Sequence, residues 1–332
     1  MAAQTQTQTQ TNMGSKMKLF VKDAVSRYTY ILCAVSVVGA FYVLNPRFLS
    51  MYSVQNMLVE AAPLLLMAAG ISFVLFTGCI DLSTGAVASC VCVLTGTYVA
   101  RVGHGIIPLM ILLGVAAGFA NGCIVTKLKV PSFIVTLCAQ SVWKCVALVQ
   151  SGGGSKNIPI ASRSLVLWAS KPFLHFPAIC WIALAVLMIF FFIQQKSVVG
   201  KNIFAVGANE RAARMAGVDT AKAKIYAFVY SGLGSALAGM IYAYKLKSSV
   251  PNIGDPLNLM AISAVALGGT LMSGGKGSVF RTLVGVLTVT AISSGMNMAG
   301  VDAFWKDIVY GVVLIGAIAV NSEKGVRDLV VR

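Results

Sequence analysis

Long apolar runs alternate with short polar breaks along the chain. A helix needs about 20 apolar residues to cross the hydrocarbon of a bilayer. By that measure, spans fall at residues 28–44, 56–76, 80–100, 106–126, 131–150, 177–195, 225–244, 258–272, 279–297 and 303–321. The pattern predicts an all-α fold, a polytopic membrane bundle of about ten transmembrane helices with both termini on one side. The first run has no clear small-residue cleavage site and is followed by more spans, so it reads as an uncleaved helix. Two runs are irregular. Residues 258–272 are short and lead into Gly268-Gly269-Thr270 and Ser273-Gly274-Gly275-Lys276-Gly277, while the second span contains Pro63 and ends in Gly78-Cys79-Ile80-Asp81-Leu82-Ser83-Thr84-Gly85. Broken or short helices are tolerated at membrane depth only against protein or a water-filled cavity, so these two places are the expected walls of a polar pathway.

Composition supports the membrane reading. Hydrophobic residues make up 58% of the 332 positions and charged residues only 11%, with mean hydropathy +0.83, whereas a soluble domain carries about 25% charged residues. A net charge of +16 in a soluble protein would point to nucleic acid. Here the distribution decides: with a cytoplasmic N-terminus, 17 Lys and Arg fall on the inner side and 8 on the outer, with Lys144 inside a span. That excess on the inner side is what the positive-inside rule expects, so the charge belongs to topology and no nucleic-acid partner is implied. The expected organisation is a basic N-terminal tail over 1–27 that opens on a Gln-Thr repeat with no apolar face, a transmembrane domain over 28–321, and a cytoplasmic C-terminal tail over 322–332. The eight cysteines lie in or at the edges of apolar runs without CxxC or Cys/His spacing, and read as small buried hydrophobes rather than a disulfide or metal framework.

One long polar stretch interrupts the pattern, GKNIFAVGANERAARMAGVDTAKAK at 200–224, inside a predicted cytoplasmic segment over 196–224. Asn209 suits an N-cap, Glu210 suits the positive end of a helix dipole, and Gly217 suits a helix-terminating C′ position. The expectation is a short capped helix. Ala208, Ala212 and Ala216 recur every four residues, leaving one face with little bulk, with Arg211 and Arg214 beside it. Two readings stay open on these residues: a solvated loop joining two spans, or an element that docks in a partner's groove.

Nucleotide chemistry is not encoded in a recognisable form. The run ending SGGKGS fails as a Walker A motif, because Thr270 stands at the first glycine position and Gly277 follows the lysine, and Gly232-Leu233-Gly234 lacks the third glycine of a dinucleotide fingerprint. Glycines 232 and 234 read as sites of close helix packing. Asp81 is the acid to watch, since an intramembrane carboxylate is expected to be functional, although capping a helix that begins at Leu82 would also account for it. Asn121, Ser132, Thr136, Gln140 and Asn297 can supply neutral hydrogen bonds, and Phe133 or Trp143 can stack on a sugar ring.

From about residue 30 onward the chain resembles the permease subunits of ribose-type bacterial ABC sugar importers. The resemblance rests on FTGCIDLSTGAV at 76–87, NGCIVTKLKVPSFIVTL at 121–137, the run from Gly200 to Ile241, and AISAVALGGTLMSGGKGSV followed by SGMNMAGV. It implies a multi-pass protein of the bacterial inner membrane that pairs with a second permease subunit as a homodimer or heterodimer. It also implies ABC ATPase subunits that hold ATP and Mg2+, and an extracellular or periplasmic sugar-binding protein; the chain itself would bind no cofactor or metal and catalyse nothing. The ATPase-coupling element it implies comprises Gly207, Asn209, Glu210, Arg211, Ala212, Ala213, Arg214, Ala216 and Gly217. The pathway candidates are Asp81, Ser83, Asn121, Phe133, Thr136, Asn258 and Asn297. Five positions depart from the family pattern: Cys79 and Arg281 replace usual glycines, Asn258 stands where an acid is common, and Lys144-Cys145 replaces Arg-Gly. Permeases of the same superfamily for autoinducer-2, nucleosides or branched-chain amino acids share the architecture, and an ion-coupled secondary transporter using Asp81 is the reading from another class.

Overall fold

The computed structural model describes residues 30–302 and 304–321; the two predicted tails, 1–27 and 322–332, lie outside the described residues. Helix α1 covers Tyr30–Leu44, followed by α2 (Met51–Phe76), α3 (Thr84–Val102), α4 (Ile106–Lys127) and α5 (Ser132–Ser151). A one-turn helix α6 (Ser164–Leu167) precedes α7 (Ala178–Lys196), α8 (Val198–Ala208), α9 (Glu210–Met215), α10 (Thr220–Leu246), α11 (Asp255–Leu267), α12 (Val279–Met298) and α13 (Phe304–Asn321). Each expected span holds a helix. Among the described residues six segments are long and apolar enough by themselves to cross a membrane, and one of them, Thr84–Lys127, contains both α3 and α4 around a tight turn at Gly103–Gly105.

Helix α2 is the axis of the bundle. Every residue from Ala61 to Phe76 is buried, Pro63 included, as expected for a helix apolar on all sides. Helix α10 packs along α2, α3 and α4. Its glycines serve the purpose the sequence suggested, since a Cβ on Gly232 would strike the Gly114 carbonyl of α4 and one on Gly234 the Leu66 carbonyl of α2. Small residues of this kind let helix backbones approach where the hydrophobic effect gives no drive to associate.

Two expectations are corrected. The run 258–272 is helical only to Leu267, as part of the 13-residue α11 (Asp255–Leu267), which Gly268 caps. At 1.5 Å per residue it spans roughly 20 Å, short of the hydrocarbon thickness. The predicted loop over 196–224 is mostly helical, as α8 and α9, because it contains three caps: Ser197 accepts from Gly200 N at 2.9 Å, Asn209 from Ala212 N at 3.0 Å and Asp219 from Lys222 N at 3.0 Å. Each cap opens the next helix.

Segments assigned by charge to one side of the membrane meet one another. Among the segments expected outside, Lys156–Asn157 pairs with Ser248–Ser249 in a two-residue antiparallel ladder, and Gln55 donates to the His175 carbonyl at 3.0 Å. Among those expected inside, the end of α2 meets α8 and the 268–278 loop, where Gly275 N donates to the Phe76 carbonyl at 2.9 Å.

Candidate functional site

The chain between α2 and α3, residues 77–83, turns at Thr77–Gly78 and then runs without regular structure, with Thr77, Asp81 and Ser83 buried. Its polar groups are held by four different helices. From α5, Ser132 Oγ accepts the Ile80 N–H at 3.1 Å, and Thr136 Oγ1 donates to the Ser132 carbonyl at 2.9 Å and lies 3.4 Å from the Ile80 carbonyl. From α10, the Ser231 hydroxyl donates to Asp81 Oδ2 at 2.7 Å. From α4, Asn121 Nδ2 donates to Ser83 Oγ at 2.9 Å. From α11, Asn258 Nδ2 donates to the Leu82 carbonyl at 2.7 Å, and its Oδ1 accepts the Thr84 hydroxyl at 3.0 Å. Backbone without a sheet or helix of its own must find partners inside a membrane protein, and these side chains supply them.

Asp81 sits at the centre of this segment and is only 2% exposed. Besides Ser231, its Oδ1 accepts both the N–H and the hydroxyl of Ser83, at 3.0 and 2.6 Å. Capping Leu82 directly is therefore not its role: α3 begins at Thr84, and Asp81 closes an Asx-type turn on Ser83 while reaching across to α10. Ser231 is the partner that sequence reasoning missed. It lies 150 positions away in a helix read only for its glycines, and no local pattern marks it.

Five of the seven pathway candidates, Asp81, Ser83, Asn121, Thr136 and Asn258, come together here. Phe133 and Asn297 do not. Phe133 is half-exposed on α5, and Asn297 is exposed in the last turn of α12; being apolar in one case and at a helix end in the other, neither is drawn into the buried hydrogen bonds. Trp143 packs against the small buried cluster of Cys90, Val93 and Ala147. Of the departures from the family pattern, Asn258 joins the hydrogen bonds around Leu82, Lys144 pairs with Asp255, and the Arg281 guanidinium lies 6.0 Å from the Tyr30 ring centroid.

The second cluster is the α8–α9 elbow. Asn209 has extended backbone and starts α9, and Gly217 ends it with φ +83°. Val218 N donates to the Ala213 carbonyl and Gly217 N to the Arg214 carbonyl, both at 3.0 Å, the bond pair of a Schellman stop. Ala208 belongs to α8, before the break, so the alanine stripe on α9 is reduced to Ala212 and Ala216. Ala213 is buried, whereas Arg211, Ala212, Arg214, Met215 and Ala216 are exposed. Met215 is 85% exposed, an apolar side chain at the tip of a polar element.

Arg214 is not a free edge charge. It pairs with Glu210 at 3.5 Å and donates to Thr220 at 3.3 Å, while Lys224 of α10 binds Glu210 at 2.7 Å. The Lys224 hydrogen bond, with further help from the Lys224 and Arg214 charges, lowers the Glu210 pKa from its ordinary value against a partial burial penalty. Arg211 makes no ion pair among the described residues.

The elbow abuts the core directly. Phe204 of α8 stacks on Phe76 with ring centroids 4.5 Å apart. A Cβ on Gly207 would collide with the Phe76 carbonyl and with Gly275 N, and Gly78 lies against Gly274 in the same knot. Backbone therefore touches backbone from α8 through the 268–278 loop to the start of the segment that carries Asp81.

This bundle, with six segments among the described residues long and apolar enough to cross a membrane, defines a multi-pass helical membrane protein. The chain belongs to the branched-chain amino acid transport system / permease component family, whose model matches residues 53–318. It is 33% identical over 288 residues to the ribose import permease protein RbsC of Bacillus subtilis (strain 168), covering 85% of this chain and 88% of that protein. It is 31% identical over 303 residues to the L-arabinose transport system permease protein AraH of Escherichia coli (strain K12), covering 89% and 88%. The probable ABC transporter permease protein YphD of the same organism is 31% identical over 321 residues, covering 91% and 92%. No solved structure matches the chain. The chain is thus an ABC transporter permease, a transport component of the inner membrane.

Proposed function

We propose that the chain forms, with a second permease subunit, the translocation pathway for a monosaccharide, a ribose-like pentose or a hexose. An extracellular binding protein delivers the sugar, and separate ATPase subunits holding ATP and Mg2+ drive the cycle. The relatives named for ribose and arabinose support the substrate class. The observation that carries the coupling is the elbow: α9 is exposed and self-capped, while α8 beside it is in backbone contact with the end of α2. A push on α9 from the cytoplasmic side has a short, stiff route to residues 77–83, where Asp81, Ser83, Asn121, Thr136 and Asn258 line or shape the pathway. Glu210 fixes α9 to α10 through Lys224, Asn209 and Gly217 set its length, and Arg211, Ala212, Ala216 and Met215 face the ATPase.

The description of the family model favours a second substrate, a branched-chain amino acid. The test is a thermal-shift screen of the cognate binding protein across pentoses, hexoses and amino acids, followed by uptake in proteoliposomes containing the assembled transporter. A pentose or hexose that stabilises the binding protein and enters only with ATP, the ATPase and this chain all present is the expected result. Uptake of leucine in its place, or uptake by this chain without the ATPase, overturns the reading.

A further inference from the structure

The ion pair between Lys144 and Asp255 has no place in the two clusters above. Lys144 lies in α5 twelve residues after its start at Ser132 and seven before its end at Ser151, roughly 18 and 10 Å along the axis. Asp255 is the first residue of α11, where the helix dipole favours a carboxylate. Lys144 Nζ lies 2.7 Å from Asp255 Oδ2, and the two side chains are 39% and 40% exposed.

A membrane helix does not show lipid a charged pair that is two-fifths uncovered, because intramembrane charges face the bundle interior or a water-filled cavity. The neighbouring positions are polar as well. Gln140 and Ser141 stand four and three residues before Lys144 on α5, and Asn258 stands three after Asp255 on α11, spacings that place them on the same faces. Asn258 in turn holds Leu82 and Thr84 beside Asp81. A polar strip thus runs from the exposed ion pair to the buried segment.

We propose that Lys144 and Asp255 stand on the wetted wall of the translocation pathway and contact the passing solute, the ammonium as hydrogen-bond donor and the carboxylate as acceptor. The pair carries no net charge, and its polar neighbours Gln140, Ser141 and Asn258 are neutral. The solute that fits is an uncharged polyhydroxylated molecule, whose hydroxyls both donate and accept. The substrate part of this inference rests on the monosaccharide reading, and the wetted face does not.

The test uses the assembled transporter in proteoliposomes carrying Ser141→Cys, treated with a charged, membrane-impermeant thiol reagent and mapped cysteine by cysteine by mass spectrometry. Modification of the introduced thiol is expected, slowed at least several-fold by the transported solute. A Val142→Cys thiol, exposed on a different side of α5, is expected to stay unmodified. A Ser141→Cys thiol unreactive in every nucleotide state overturns the wetted face and means that lipid or a second subunit covers the pair. Uptake gives the second readout. Lys144→Met and Asp255→Asn should each reduce it at least tenfold, and the exchanged pair Lys144→Asp with Asp255→Lys should fold but transport with a raised KM. Wild-type KM in the exchanged pair reduces the contact to a brace and overturns the solute role. Because labelling needs no sugar, an accessible thiol together with wild-type protein that takes up no sugar would sink the monosaccharide reading alone.

Discussion

The segment around Asp81 and the α8–α9 elbow are both short polar interruptions of an apolar bundle, yet they are held in opposite ways. Residues 77–83 bury Thr77, Asp81 and Ser83 and depend on side chains from α4, α5, α10 and α11. The elbow is largely exposed and depends on its own caps, one ion-pair cluster and backbone contact. A buried polar segment can move only if distant helices move with it, whereas a self-capped helix can be pushed as a unit. That difference suits the first to a gate and the second to a lever, and the glycine knot at Gly207 joins them.

Breaking the joint should cost most. Gly207→Val puts a Cβ into the Phe76 carbonyl and Gly275 N, and overpacking of this kind costs about 3 kcal/mol; the expected result is a large drop in melting temperature of the purified chain, or loss of folded protein. Next is the buried side: Ser231→Ala removes one hydrogen bond to Asp81, a loss of about 1 kcal/mol, read as a lower denaturation midpoint. If Ser231→Ala were neutral, the cross-helix hold on Asp81 would not be what fixes the segment. Asn209→Ala removes the α9 cap at about 1 kcal/mol. It should speed hydrogen exchange in 210–216 without lowering the global melting temperature, because the elbow holds itself.

The smallest effect is pH-dependent. Glu210 has its pKa lowered in the folded chain, so its contribution is complete above the ordinary carboxylate range and is lost as pH falls through the lowered value. Exposed pairs of this kind contribute below about 1 kcal/mol. The protection factors of the α9 amides, corrected for the intrinsic exchange rate at each pH, should therefore fall on acidification, and Lys224→Met should remove most of that dependence.

The same contrast explains what could be read in the sequence. Asn209, Glu210 and Gly217 predict α9 because caps and stops act over three or four residues, and each span announced itself by its apolar length. Ser231 could not be found, since nothing near it says that a carboxylate 150 positions earlier faces it. Arg214 is a different case, since its partners are near in sequence: Glu210 stands one turn before it on α9 and Thr220, six residues on, opens α10. Phe133 and Asn297 have suitable chemistry, but their positions in the bundle leave them outside the cluster.

The central claim is that α9 transmits ATPase motion to the pathway, and its exposed tip gives the most direct measurement. Met215→Glu combined with Arg211→Glu changes two exposed side chains that support no contact described within the chain. ATPase co-purification and ATP-driven uptake should be compared with those of an exposed control on α8, Lys201→Glu. The account predicts that the tip variant folds normally, loses at least tenfold in bound ATPase or uptake, and leaves the control near wild type. Wild-type assembly and uptake by the tip variant would contradict it.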